Sequence, residues 1–219
     1  MKMVRYRFCA VVLVLAFAVF ALVPCGAQPL PGSLSFDSVC DGLMAHTVTT
    51  GSFLQTKTVP SLPKPLVSSG TFIFSESGIA WNSKKPFVSS LVVTKTQMIQ
   101  IGPNGKKNVI DGVSNQIFSN IAETLSSLFS GNKTALQKNF NVDFSAHDSR
   151  WSMALTPKDA SIATFMQHVT LSGSATSFST SLDSIAVQDT NGGTLTYEFS
   201  DQLYKETLTD EEKTYFVIK

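Results

Sequence analysis

The sequence lacks the residue patterns on which most enzymes depend. It has no G-x-S-x-G element, no glycine-rich phosphate loop and no pair of acidic residues in a distinctive setting. Its three histidines, His46, His147 and His168, stand apart from other metal ligands, whereas a zinc site normally shows one closely spaced pair. His147 is followed by Asp148, but neighbours on a strand point to opposite faces and would not meet. The sequence therefore predicts no catalytic residue, no metal, no cofactor and no enzymatic activity.

Clustered positive charge is also missing. The chain has 17 basic and 16 acidic residues, and its only lysine doublets are Lys84-Lys85 and Lys106-Lys107, each beside a turn. Phosphate backbones are bound by a continuous basic stripe, which two separate doublets do not provide. Nucleic acid is excluded as a partner on this ground.

The N-terminus carries basic charge ahead of a long apolar run. Three basic residues precede the run 8–23, and small, turn-prone residues follow it up to Ala27. This order is typical of a secretory signal peptide, and the run is shorter than the roughly 20 residues that span a bilayer as a helix. We predict a signal peptide over 1–27 and a single domain over 28–219, exported to the periplasm. A retained anchor, or a cut before Cys25 that makes the chain a membrane-anchored lipoprotein, are the alternatives.

Cysteine is scarce beyond that segment. Cys40 is the only one left, so it cannot pair within the exported chain, and on an apolar helix face it acts as a small buried hydrophobe. Ser35 can cap this helix. The helix is predicted from apolar residues that recur every three or four positions, namely Phe36, Val39, Cys40, Leu43 and Met44.

Strand spacing dominates the rest of the chain. From Val48 onward apolar and polar residues alternate in short runs, with hairpin signals at Asn104-Gly105 and Asn191-Gly192-Gly193. About ten to eleven strands and two or three helices result, without a βαβ rhythm. The fold class predicted is therefore mainly β, with one antiparallel, strongly curved sheet. The last strand is predicted over 215–218, and Thr209 is predicted to cap a helical turn just before it.

The stretch 51–94 gathers the most apolar surface. It predicts four antiparallel strands with one strongly apolar face, although Phe72 and Phe74 compete with Ile73 for the inward side. A later amphipathic helix is predicted over 113–130. Periodicity alone leaves open whether the helices seal an ordinary core or cover a ligand cavity.

Short motifs along this stretch carry a resemblance. A first helix is followed by Phe53-x-Gln55, by a strand that begins at Gly70, by Trp81 and by Pro86 five residues later. Later motifs of the same kind are Leu155-Thr156-Pro157-Lys158 and the terminal segment Asp210 to Phe216. Together they resemble the LolA family of periplasmic outer-membrane lipoprotein carriers.

The resemblance implies an unclosed β-barrel whose apolar face accepts acyl chains and whose helices act as a lid. It implies a monomeric chaperone that takes an acylated lipoprotein from an inner-membrane lipoprotein-releasing transporter to an outer-membrane acceptor, with transient membrane contact. The expected cavity residues are Phe53, Phe72, Phe74, Ile79, Trp81, Leu91, Val93, Trp151 and Met153. The expected lid residues are Ile117, Ile121 and Leu125.

One turn departs from the family pattern. Carriers of this family commonly hold an arginine just before the tryptophan strand, where it fastens the lid; here the turn is Ser75-Glu76-Ser77-Gly78. A carboxylate accepts hydrogen bonds but cannot supply the donors of a guanidinium. The alternatives are therefore a carrier of another amphipathic lipid or glycolipid, or a non-transporting module that senses lipid or lipoprotein.

Overall fold

The computed structural model describes residues 34–111, 124, 126–127, 129–164 and 166–217. Its strands are β1 (Val48–Thr58), β2 (Leu66–Ser75), β3 (Gly78–Lys85), β4 (Ser89–Val93), β5 (Gln97–Ile101), β6 (Lys107–Asp111), β7 (Phe140–His147), β8 (Arg150–Pro157), β9 (His168–Ala175), β10 (Thr180–Gln188) and β11 (Thr194–Lys205). All eleven belong to one antiparallel sheet, which confirms the predicted fold class.

The sheet consists of two meanders joined in the middle. Its order is β6-β5-β4-β3-β2-β1-β11-β10-β9-β8-β7, so the first and last strands of the chain are neighbours. Ten residue pairs join β1 to β11. The edge strands β6 and β7 do not pair with each other within the described residues, so the barrel is not closed.

Short helices lie between and beside the strands. They are α1 (Phe36–Met44), α2 (Lys133–Asn139), α3 (Ala160–Ala163) and α4 (Asp210–Thr214). The helix predicted over 113–130 is described only at residues 124, 126, 127, 129 and 130, all helical, which we call the lid segment. Ile117, Ile121 and Leu125, the predicted lid residues, lie outside the described residues.

Helix α1 begins where its sequence predicts. The Ser35 hydroxyl accepts a hydrogen bond from the Ser38 backbone N–H at 3.1 Å, and the Ser38 hydroxyl accepts one from the Ser35 N–H at 3.0 Å. This capping box satisfies two backbone donors at the helix start. The apolar stripe of the helix, Val39, Cys40 and Leu43, is buried in the principal core.

The principal core lies on one face of the sheet, here called the inner face. It combines side chains from β1–β3 with side chains from β7–β11, together with residues of α1 and α2. Strands as distant in the sheet as β3 and β8 share this cluster, because the sheet curls around it. The sheet therefore forms an unclosed barrel with an apolar interior.

The other face carries a second, smaller cluster. Ile73, Ala80, Val92 and Ile99 are buried there against Leu208 and Phe216 of the C-terminal segment. The structure thus shows which side chains of β2 point inward: Phe72 and Phe74 face the principal core, and Ile73 faces the opposite side of the sheet.

The C-terminal segment corrects one prediction. Thr209 caps α4, as predicted, through a capping box with Glu212. The strand predicted over 215–218 is wrong at its described residues, because Tyr215 is the helical C-cap and Phe216 lies in a turn. Packing of Phe216 against the outer cluster outweighs the local alternation of apolar residues.

Glu212 fixes this segment to the sheet and gives its attachment a pH dependence. Its carboxylate accepts hydrogen bonds from the Lys205 Nζ at 2.6 Å and from the Thr209 N–H at 2.8 Å. Burial opposes ionisation of Glu212, but these hydrogen bonds outweigh burial and lower its pKa below the ordinary 4.5. A lowered pKa means that the stabilisation is present above about pH 4.5 and is lost as the pH falls through the folded value.

We therefore expect Glu212→Gln to lower the free energy of unfolding by about 1 kcal/mol at pH 7. The difference from the native chain should vanish in acid, as the native carboxyl becomes protonated. Urea denaturation at a series of pH values measures it, with Glu211→Gln on the same helix as the control. A difference that persists undiminished at the lowest pH would contradict this account.

Candidate functional site

Strands β2–β4 present two rows of large apolar side chains to the inner face. Successive residues of a strand alternate between faces, so residues two apart share a face, and their partners on the neighbouring strands extend each position into a row across the sheet. The rows are Phe72, Trp81 and Leu91, and Phe74, Ile79 and Val93.

The structure places all nine predicted cavity residues on the inner side of the sheet. Eight lie in the principal core or pack against it, namely Phe53, Phe72, Phe74, Ile79, Trp81, Leu91, Trp151 and Met153. The ninth, Val93, packs beside it against Leu91 and Met98. Trp151 and Met153 reach the same core from β8, in the other half of the sheet.

An aromatic cluster fills the centre of this core, and the lid segment contributes one of its rings. Phe129 lies 3.8 Å from Phe74, 5.3 Å from Trp81 and 6.0 Å from Phe199, measured between ring centroids. Such edge and tilted contacts each add about 0.5–1.5 kcal/mol beyond the burial of area. Phe129 thus covers the apolar face that β2 and β3 present.

Two cavities flank the lid segment at one end of the barrel. Their volumes are about 240 and 330 Å³. Both are lined by Ser75, Glu76, Ile79, Ser126, Ser130 and Asn132. Of the nine predicted residues, Phe74 and Ile79 line the first and Ile79 and Val93 the second, whereas the other six are packed within the core.

The turn that departs from the family pattern forms the rim of both cavities. Ser75 and Glu76 line both of them, and Lys95 lines the second from the next hairpin. Glu76 is exposed and forms no ion pair with any of the described residues. The rim therefore offers an acceptor and an ammonium donor in place of a guanidinium.

Sequence reasoning missed the polar side of the first cavity. His46 stacks on Tyr204 with ring centroids 3.7 Å apart, and its Nε2 lies 2.9 Å from the Thr180 carbonyl oxygen. Both rings line the cavity together with Gln202. His46 and Tyr204 meet only because β1 pairs with β11, which no local pattern indicates.

The buried titratable groups do not form a reactive site. Burial raises the pKa of Cys40 to about 12, and the nearby carboxylates of Asp37 and Asp41 add to the effect. Burial also raises the pKa of Tyr197 to about 12. A nucleophilic cysteine needs a lowered pKa, so Cys40 acts as a core residue. Within the described ranges, no three His, Cys, Asp or Glu residues are grouped as a metal site would require.

The expectation that His147 and Asp148 do not meet is wrong. The His147 Nδ1 lies 3.0 Å from Asp148 Oδ2. Asp148 belongs to the turn after β7 and has a φ of 53°, so the alternation of a strand no longer applies there. Both side chains are more than four-fifths exposed, so this pair lies in solvent and outside the apolar core.

The sequence comparison identifies the family. Residues 45–215 match the family model described as outer membrane lipoprotein carrier protein LolA. The chain belongs to the LolA family. The match includes the whole sheet and the rim turn of both cavities. No curated protein matches the chain at a significant level.

Solved structures with similar folds are distant in sequence. A DUF1329 family protein from Desulfovibrio piger is 10% identical, with 83% of this chain and 95% of that chain covered and a TM-score of 0.49. A LolA superfamily protein from Nitrosomonas europaea is 10% identical over 82% and 97%, with a TM-score of 0.42. An outer-membrane lipoprotein-sorting domain from Vibrio parahaemolyticus is 7% identical over 83% and 94%, with a TM-score of 0.45.

Proteins of the LolA family are periplasmic carriers. In the part of the chain that is described, no helix has the length and apolar character needed to cross a membrane.

Proposed function

We propose that this LolA-family protein is a periplasmic carrier that shields the acyl chains of lipoproteins during their transfer from the inner to the outer membrane. The observation that carries the proposal is the aromatic interior of an open barrel with Phe129 of the lid segment at its centre. Among the described rings of this cluster, Phe129 is the one that comes from the lid segment, and the others belong to strands of the sheet.

An acyl chain would replace Phe129 against the same wall. Each methylene group removed from water contributes about 0.8 kcal/mol, so affinity grows with chain length and needs few directed hydrogen bonds. The first cavity, which Phe129 itself lines, would gain the space that the ring leaves, and the second cavity lies next to the first. Cargo is released when the lid segment returns to the aromatic cluster or when an acceptor offers a more apolar site.

The partners follow from this cycle. An inner-membrane lipoprotein-releasing transporter supplies the cargo and an outer-membrane acceptor removes it, while the carrier acts as a monomer. We take residues 1–27 to be the signal peptide that directs the chain to the periplasm.

A carrier of another amphipathic lipid or a glycolipid is the second candidate. The exposed Glu76 at the cavity rim favours it, because a carboxylate and Lys95 can accept and donate hydrogen bonds to a polar headgroup.

Ile79→Glu tests the proposed cavity. Ile79 lines both cavities, so a carboxylate there must lose water when an acyl chain enters, and we expect about tenfold weaker binding of a fluorescent fatty-acyl probe. The control is Leu54→Glu, at an exposed position of β1 whose neighbour Phe53 is the one that enters the core. Fluorescence titration measures both affinities. Unchanged binding by a folded Ile79→Glu chain would place the acyl site elsewhere.

The same variant separates the two cargoes in cells. A strain that depends on Ile79→Glu should retain lipoproteins in the inner membrane if lipoproteins are the cargo, as membrane fractionation and immunoblotting would reveal. Normal lipoprotein sorting, together with weakened binding of the probe, would instead assign the protein to another amphipathic lipid.

A further inference from the structure

Three consecutive hairpins turn at the same end of the barrel, opposite the rim of the cavities. Their loops are 59–65 between β1 and β2, 86–88 between β3 and β4, and 102–106 between β5 and β6. These three hairpins are neighbours in the sheet, so their loops lie side by side. We call this surface, with the strand residues next to it, the hairpin end.

The hairpin end exposes large apolar side chains. Leu62 is 44% exposed, Leu66 54%, Val67 49%, Phe87 68% and Val88 71%. Leu66 and Val67 begin β2, and Phe87 and Val88 follow β3, its neighbour in the sheet. Grouped exposure of this kind is uncommon on a soluble domain and marks an interaction surface.

The charge at the hairpin end has one sign. Lys57, Lys64, Lys84, Lys85 and Lys106 lie in or beside the three loops, and segments 57–67, 84–89 and 101–108 contain no Asp or Glu. Lys107, the next residue in the chain, lines a depression together with Asp210 and is not counted in this group. Lys84, Lys85 and Lys106, which come from two different hairpins, are therefore brought to one end of the sheet.

A carboxylate from the other half of the sheet lies next to this surface but faces its own backbone. The β10–β11 loop approaches Pro60 through Gly192 and carries Asp189. The Asp189 Oδ1 accepts hydrogen bonds from the backbone N–H groups of Asn191 and Gly193, both at 2.8 Å. Asp189 is thus engaged within its own turn.

We propose that the hairpin end docks on a membrane surface of anionic phospholipids. Apolar loop tips such as Phe87 and Val88 enter the boundary between headgroups and acyl chains, while Lys84 and Lys85 behind them contact lipid phosphates. The lysine stems cover apolar surface as the ammonium groups reach the headgroups. The apolar and basic residues of the hairpin end stand on separate loop tips and carry only positive charge. A fluid anionic bilayer can adapt to such a surface, whereas a protein groove would have to match its shape and its polar groups.

This contact does not depend on which cargo the interior holds. The chain without cargo presents the same loops, so binding to a bilayer can be measured on the purified chain alone. The hairpin end and the cavity rim lie at opposite ends of the strands, which lets the protein rest on a bilayer with its cavities facing away from it.

Sedimentation with vesicles tests the proposal. At low ionic strength we expect the chain to bind phosphatidylglycerol vesicles and to bind phosphatidylcholine vesicles far less. Lys84→Gln/Lys85→Gln should lower the affinity for the anionic vesicles by about 30-fold, and Phe87→Ser/Val88→Ser by at least about tenfold. Binding should also weaken as salt is added.

Phe178→Ser is the matched apolar control. Phe178 is 97% exposed, but it lies in the β9–β10 turn at the other end of the strands, so the substitution should leave vesicle binding unchanged. The proposal is overturned if the native chain does not bind anionic vesicles at low salt. It is also overturned if the variants substituted at the hairpin end bind these vesicles as tightly as the native chain. All of the substituted positions are exposed, so thermal denaturation should give the native midpoint for each variant.

Discussion

Gly173→Ala should destabilise the protein by about 3 kcal/mol, which corresponds to a fall of about 10 °C in the unfolding midpoint for a chain of this size. Gly173 lies in β9, directly opposite Trp151 of β8. A methyl group at Gly173 would lie 2.5 Å from the Trp151 ring and closer still to the Ser181 carbonyl oxygen of β10. The backbone carbonyl belongs to the sheet and cannot turn aside, so the strands themselves must separate.

Gly102→Ala is the control for this prediction. Gly102 precedes the β5–β6 turn, and a methyl group there would meet nothing closer than the Asn104 side chain at 3.4 Å. Urea or thermal denaturation compares the two variants. A Gly173→Ala chain as stable as Gly102→Ala would mean that Trp151 can move away at little cost and that the close packing of β8 against β9 is not needed.

Phe129→Ala should have two opposite effects. Loss of the ring contacts with Phe74, Trp81 and Phe199 should lower the free energy of unfolding by about 2 kcal/mol. Affinity for a fluorescent fatty-acyl probe should rise about tenfold, because the probe no longer has to displace a bound ring. Denaturation and fluorescence titration on the same preparation measure both effects.

Phe36→Ala separates this effect from a general loosening of the core. Phe36 is half-buried and packs edge-on against Phe144, with centroids 6.3 Å apart and away from the Phe129 contacts. We expect it to lower stability without raising affinity for the probe. If Phe129→Ala instead binds the probe more weakly than the native chain, Phe129 is part of the binding wall, and it is not displaced by cargo.

Much of the fold is predictable because its signals are local. Alternation along β2–β4 brings Phe72, Trp81 and Leu91 to one face whatever the rest of the chain does. The hydroxyl of Ser35 likewise predicts the start of α1 from neighbouring residues alone. Predictions of this kind are confirmed where a strand or helix is long and strongly patterned.

The parts that sequence reasoning missed depend on distant contacts. Ile73 finds its cover in Leu208 and Phe216, more than a hundred residues later in the chain, so its outward direction cannot be read from β2. The stacking of His46 on Tyr204 likewise requires the central strand pair. The predicted wall residues lie on one apolar face of the sheet, and their role in holding a ligand stays a prediction. The periodicity of 113–130 places Phe129 on an apolar helix face, but it does not indicate which residues of the sheet that ring contacts.

The pairing of β1 with β11 at the centre of the sheet affects the order in which the parts of the protein can fold. Each meander needs only contacts between strands that follow one another, and these form quickly. The β1–β11 pairing between the meanders joins Thr58 to Thr194 and closes a loop of more than a hundred residues. The two halves of the principal core, one on each meander, therefore stay apart until β11 pairs with β1, and the apolar interior is completed only at that step.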